Sequence, residues 1–88
     1  MQVLQQNSFK RAYKKLHPRQ KQAVNEAVLV VCENPTLGEQ KKGDLASIFV
    51  YKFSHITQLY LLAYTFDPAT LTLILLGTHE NFYRELKR

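Results

Sequence analysis

The 88-residue chain predicts one α+β domain spanning residues 1–88, with the element order β-α-α-β-β-β-α. A helix hairpin packs on a small, mainly antiparallel sheet, and a further helix closes the chain. Three observations predict this. Apolar residues recur at helical spacing in the first third of the chain. Of two later apolar runs, LYLLAYTF is apolar on both faces, as in a central strand buried on both sides, and LTLILLG reads as a further strong strand. The connections between the later runs are short, so three strands form an antiparallel meander.

The elements follow in order. Met1 to Gln5 alternates weakly and predicts a short strand. Asn7 or Ser8 can cap a helix, because their side-chain oxygens accept from unpaired backbone N–H groups. Phe9, Ala12, Tyr13 and Leu16 then repeat at i, i+3, i+4, i+7, one helical face. His17-Pro18 breaks the run. Pro18 suits the first turn of a second helix, where its missing N–H costs nothing. Ala23, Val24, Ala27, Val28 and Val31 are that helix's core stripe, and Asn34-Pro35 ends it. TLGEQKKGD reads as an exposed basic loop. LASIFVYKF is rich in β-branched and aromatic residues and predicts a strand. A turn over Ser54 to Thr57 leads into LYLLAYTF, and Asp67-Pro68-Ala69-Thr70 turns the chain into LTLILLG. Gly77 ends that strand, and Thr78 is placed to cap a terminal helix. Neither the hairpin nor the sheet can bury its apolar face alone, so they must cover one another.

Composition narrows the class. The chain is 45% hydrophobic and 22% charged, which is globular. No apolar run reaches the roughly 18–20 residues of a membrane span. The N-terminus lacks the order of a signal peptide, so a cytoplasmic protein is expected. Cys32 is the only cysteine, at the end of a helical apolar pattern, and reads as an inert packing residue. Net charge is +5. Lys10, Arg11, Lys14, Lys15, Arg19 and Lys21 fall in the first 25 residues with no acid among them. Lys41, Lys42, Lys52, Arg84, Lys87 and Arg88 add further clusters. Such a distribution favours a polyanionic partner.

The C-terminal GTHENFYRELKR is the segment richest in chemistry. Phe82 and Leu86 form a narrow apolar stripe. His79, Tyr83 and Lys87 fall on another at i, i+4, i+8. Periodicity alone favours a packing helix, although imidazole is a good acid or base near neutral pH. His17 reads as a structural or solvent-exposed residue and His55 as a surface turn residue. No pair of the three histidines has metal-ligand spacing, so no metal and no cofactor are expected. Phosphate-binding glycine loops and nucleophile elbows are absent from the sequence.

FKRAYKKL, NPTLGEQKKGDL, VYKF, LYLLAY and the terminal GTH-x-x-F-Y, in this order, resemble the RelE/ParE superfamily of toxins from type II toxin–antitoxin systems. The ending is most similar to the YafQ-like branch. The resemblance implies a ribosome-dependent, metal-independent mRNA endonuclease. It matches His79 to a catalytic histidine, Tyr83 to an aromatic site position and His55 to a second histidine. Lys42 stands near a third, and Leu59 stands where that branch carries an acid. RelE-like members use lysines and arginines, a part open here to Lys41, Lys42, Lys52 and Arg84. Lys10, Arg11, Lys14, Lys15, Lys41, Lys87 and Arg88 would bind the RNA backbone. Cleavage by the RNA's own 2′-hydroxyl needs a base, an acid for the leaving 5′-oxygen and cations for the phosphorane charge. The partners implied are a cognate antitoxin, the ribosome and mRNA, with the toxin alone a monomer. Two other outcomes stay open within the superfamily: a ParE-like inhibitor of DNA gyrase, and a non-toxic antitoxin-binding relative.

Overall fold

The computed structural model describes residues 2–45, 47–79 and 82. Strand β1 (Gln2–Gln5) leads into helices α1 (Asn7–Lys14) and α2 (Pro18–Glu33). A 3-10 turn (Pro35–Leu37) and a two-residue strand β2 (Glu39–Gln40) follow, then a second 3-10 turn (Gly43–Leu45). The meander is β3 (Phe49–His55), β4 (Gln58–Phe66) and β5 (Thr70–Thr78). The five strands form one sheet in the order β1-β5-β4-β3-β2. Only the β1–β5 pair is parallel. β4 is central, as its unbroken apolar run predicts, and Tyr60 to Tyr64 are all buried.

The helix hairpin covers one face. Phe9 of α1 and Val24, Ala27 and Val31 of α2 are buried. Phe9, Val24 and Val31 cluster with Leu62, Tyr64, Leu71, Leu73 and Leu76 of the sheet. Tyr13 ties the helices together through its hydroxyl, which donates to Asn25 Oδ1 at 2.9 Å. The opposite face carries a second cluster of Val50, Leu61, Ala63, Leu75 and Phe82.

Four local expectations are corrected. Helix α1 starts after Gln6, with no side-chain cap. Ser8 instead donates its hydroxyl to the carbonyl of Ile74. The reason lies in β5. Ala63 pairs with Leu75 and Tyr64 with Leu73, so Ile74 is the extra residue of a β-bulge. A bulge leaves a residue out of the ladder, and Ser8 fills the vacancy at its carbonyl. The bulge also explains why Leu73 and Leu75, two residues apart, are buried on opposite faces of the sheet. The second correction concerns TLGEQKKGD, which is not wholly an exposed loop: Glu39 and Gln40 pair with Val50 and Phe49. Third, the β3–β4 turn is tighter than four residues. His55 pairs with Gln58, leaving Ile56 and Thr57 as the loop. Fourth, β5 runs past Gly77 to Thr78, which pairs with Tyr60.

His79 and Phe82 are helical, as expected of the terminal segment. The other positions named there, Tyr83, Arg84, Leu86, Lys87 and Arg88, lie outside the described residues. No helix among the described residues is long and apolar enough to cross a membrane.

Candidate functional site

Strand register sorts the candidate residues onto faces and ends of the sheet. Side chains alternate along a strand. On β3, Tyr51 and Phe53 join the helix-covered cluster, whereas Val50 joins the opposite one. Lys52 shares Val50's side and is exposed. His55 shares the side of Tyr51 and Phe53. It lines hollows with Pro18, Arg19, Gln20 and Ala23 of α2. His55 and Lys52 therefore stand on opposite faces of the sheet.

His79 and Lys52 are closer partners. Lys52 pairs with Leu61, and Leu61 pairs with Gly77. This row crosses three strands, so the Cα atoms of Lys52 and Gly77 are about 10 Å apart. His79 follows two residues later and is exposed. A Cβ added to Gly77 would lie 3.7 Å from the ring of Phe82, so the bare backbone there lets the terminal segment pack close. Val50, Leu61, Ala63, Leu75 and Phe82 form an apolar floor beside Lys52. Leu59 is on this face by alternation and is half-buried, an aliphatic side chain where an acid was expected.

The basic segment around Lys41 and Lys42 lies elsewhere. Gln40 pairs with Phe49, at the start of β3. The row Phe53–Tyr60–Thr78 that leads to His79 is four residues further, roughly 13 Å along the strand. Lys42 is thus at the far end of the sheet from both His79 and His55. Lys41 is not a solvated loop cation: its ammonium bonds Glu39 at 3.2 Å, and its side chain is 17% exposed. Its N–H donates to the carbonyl of Ile48 at 2.9 Å. The expected grouping of His79, His55 and Lys42 is not assembled.

A buried tyrosine holds the approach to that segment. The Tyr64 hydroxyl accepts from the Gly38 N–H at 3.0 Å and donates to the Pro35 carbonyl at 2.6 Å. Burial pushes the Tyr64 phenol above its ordinary range, with the Gly38 bond opposing and Tyr51 adding to the rise. A Cβ at position 38 would sit 2.5 Å from the Tyr64 hydroxyl oxygen, so glycine is required by space there. Cys32 packs half-buried against the core, and burial raises its thiol pKa as well.

Lys10, Arg11, Lys14 and Lys15 are exposed on the outer side of the helix layer. Lys14 and Lys15 stand at the α1–α2 junction. His17, which follows them, lines a cleft with His55, Gln58 and Tyr60, at the same end of the molecule as Thr78 and His79. The backbone N–H of His17 donates to Gln20 Oε1 at 2.8 Å, so this histidine marks the helix start. Sequence reasoning counted Arg19 among the cations but gave Arg19, Gln20 and Tyr60 no place at a site. Only the packing of α2 over the β3–β4 turn brings them together. Among the described residues, no group of three His, Cys, Asp or Glu side chains could hold a metal ion.

Comparisons place this geometry among known folds. The family model for the ParE-like toxin of type II bacterial toxin–antitoxin systems matches residues 3–87. No curated protein sequence matches the chain. Among solved structures it is similar to a chain of the intact Escherichia coli RelBE toxin–antitoxin complex. The TM-score is 0.71 at 16% identity, over 90% of this chain and 96% of that one. The YoeB/ParE toxin of Agrobacterium tumefaciens gives 0.69 at 17% identity, over 90% and 99%. The isolated E. coli RelE toxin gives 0.68 at 17% identity, over 99% and 96%. At these identities the structural likeness establishes the fold.

Proposed function

We propose that this chain, which belongs to the ParE-like toxin family of type II bacterial toxin–antitoxin systems, blocks translation by cutting mRNA on the ribosome. The observation that carries the reading is the row Lys52–Leu61–Gly77, which sets an exposed ammonium and the His79 segment on one sheet face. His79 transfers a proton to or from the reacting oxygens, and Lys52 stabilises the phosphorane charge. His55, on the other face, takes no part. Tyr83 and Arg84 complete the set as a nucleotide-stacking ring and a second cation. Lys14, Lys15, Lys10 and Arg11 hold the RNA backbone as it passes round the same end of the molecule. Lys87 and Arg88 extend that contact. A cognate antitoxin is the partner that restrains the toxin.

The test is primer-extension mapping of cleavage on ribosome-bound message. His79→Ala is expected to lower the cleavage rate by about 100-fold or more, the usual worth of a positioned acid or base. Lys52→Ala should lower it by about tenfold or more, as loss of a charge-stabilising contact. Full-rate cleavage by His79→Ala sinks the reading.

A second reading is favoured by one observation. The buried cluster under this face, Val50, Leu61, Ala63, Leu75 and Phe82, is aliphatic and aromatic, which suits a protein surface as well as a nucleotide. On that reading the chain inhibits DNA gyrase. Induction would then relax plasmid supercoils while message stays intact, and His79→Ala would keep its toxicity.

A further inference from the structure

The two edges of the sheet are guarded differently. β2 is the outer strand on one side and β1 on the other. An edge strand offers unpaired N–H and C=O groups to any other strand, and native edges are blunted by charge, proline or a bulge. β2 is two residues long, carries Glu39 and runs into Lys41 and Lys42. β1 has none of those devices. Its residues are Gln2, Val3, Leu4 and Gln5, in unbroken register with β5. No ionisable side chain occurs before Lys10. Val3 is 39% exposed and Leu4 45%, so the unguarded edge is also apolar.

Backbone bonding shows which groups of β1 are open. The Gln2 N–H donates to the Ala69 carbonyl and the Gln6 N–H to the Leu73 carbonyl, each at 2.9 Å. Direction alternates along a strand, so Gln2, Leu4 and Gln6 turn their N–H and C=O groups toward β5. Val3 and Gln5 turn theirs outward. The side chains of Val3 and Gln5 line a groove of 360 Å³ between β1 and the helices. Leu29 of α2, 64% exposed, stands on the same groove. Among the described residues, no charged side chain lines it. Tyr13 and Asn25, also on its walls, already bond each other at 2.9 Å. The groove offers no charge to an acidic segment or to a phosphate. It suits an apolar, uncharged occupant.

We propose that β1 pairs antiparallel with β1 of a second copy of this chain, about a two-fold axis through Leu4, so that one sheet runs through both copies. Opposed side chains in an antiparallel pair share a face, so a two-fold register must centre on a residue. Centring on Leu4 sets Val3 opposite the partner's Gln5, and Gln5 opposite the partner's Val3. Those are the residues with open groups, and each such pair exchanges both its N–H···O bonds. Leu4 meets the partner's Leu4 in the closer pair without hydrogen bonds. The partner's Val3 lies beside Gln5 on the groove side, with Leu29 against it. Charge selects a copy as the occupant. Each chain carries a net +5, and the charge-free edge lets two such chains meet without burying a cation. This departs from the monomer implied by the family resemblance. It leaves the His79 reading alone, because β1 pairs with residues 70–73, at the other end of β5 from Thr78.

The test is sedimentation equilibrium of the full chain, joined to NMR of the same samples. The interface is small, so the mass should climb from one chain toward two as concentration rises to about 1 mM. Added salt should tighten the dimer, because it screens repulsion between two basic chains. The Val3 and Gln5 amides should gain exchange protection with concentration. Mixed labelled and unlabelled chains should show an inter-chain contact between the two Leu4 Hα atoms, since that pair brings its Cα atoms to about 4.5 Å. Val3→Lys and Leu29→Lys should each weaken association by about tenfold or more, by placing a charge at the edge. Leu29→Lys, at an exposed position, keeps the test decisive should the strand variant fail to fold. Leu37→Lys, half exposed beside β2, should leave association unchanged. A mass of one chain at every concentration overturns the proposal and leaves the edge to a foreign strand. A dimer loosened by salt, or left intact by Leu29→Lys, overturns it as well.

Discussion

The two faces of the sheet are built from different materials. The helix-covered face carries an aromatic layer: Phe49, Tyr51 and Phe53 from β3 meet Tyr60, Tyr64 and Phe66 from β4. Ring centroids there are 5.1–6.4 Å apart. Tyr60 and Tyr64 spend their hydroxyls on Gln20, Gly38 and Pro35, fixing α2 and the chain after it. The other face is an aliphatic floor on which Phe82 lies. One face is held by rings with polar anchors and the other by plain burial. Directional bonds suit the face that must fix two helices in register. Non-directional burial suits the face that seats a short terminal segment beside a working surface.

The largest effect should follow from stripping the aliphatic face of Phe82, the ring among the described residues of its buried cluster. Phe82 is 1% exposed, and Phe82→Ala should cost about 3–5 kcal/mol in urea unfolding. A loss below about 1 kcal/mol would mean that the terminal segment contributes little to that face. On the aromatic face, Gly38→Ala drives a Cβ into the Tyr64 hydroxyl, and overpacking of this sort costs about 1–3 kcal/mol. Tyr64→Phe leaves the Gly38 N–H and Pro35 carbonyl unpaired at a similar cost, about 1–3 kcal/mol. The double variant should cost less than the sum, because both changes break the same contact; strict additivity would deny the coupling.

Smaller effects sharpen the contrast. Ile56→Gly should stabilise the fold by up to about 1 kcal/mol, read as a higher urea midpoint, as relief of positive φ outweighs glycine's added freedom. A destabilised variant would show that the isoleucine packs in the free chain. The smallest effect is alkaline. Burial raises the Tyr64 pKa, so the folded state holds that proton more tightly than the unfolded one. The resulting stability is intact below the ordinary phenol value of 10.0 and is lost as pH rises toward the folded value. Tyr64→Phe should flatten that decline, measured as urea midpoints across the alkaline range.

Much of the fold was legible because it is written in periodicity. Phe9, Ala12 and Tyr13, then Val24, Ala27 and Val31, sit where helical spacing put them. Leu61 to Ala63 are buried on a central strand as an unbroken apolar run requires. Pro18 opens α2 for the reason any proline suits that position. Ser8 shows where such reasoning stops. Its hydroxyl serves a bulge more than sixty residues away, and nothing local marks Ile74 as the residue that needs it.

The site divides in the same way. The sequence by itself determined which chemical groups are present: three imidazoles, a basic N-terminal third and a terminal GTH segment after an apolar strand. It also determined the meander, because short turns leave adjacent antiparallel strands few alternatives. Which of those groups meet was decided only by tertiary structure. Strand parity put His55 and Lys52 on opposite faces, cross-strand register brought Lys52 toward His79, and pairing of β2 with β3 carried Lys42 to the far end. Register and parity come from partners distant in the chain, and a shift of one residue would exchange every face. Local sequence therefore names the groups, and the long-range pairing of strands chooses which of them can act together.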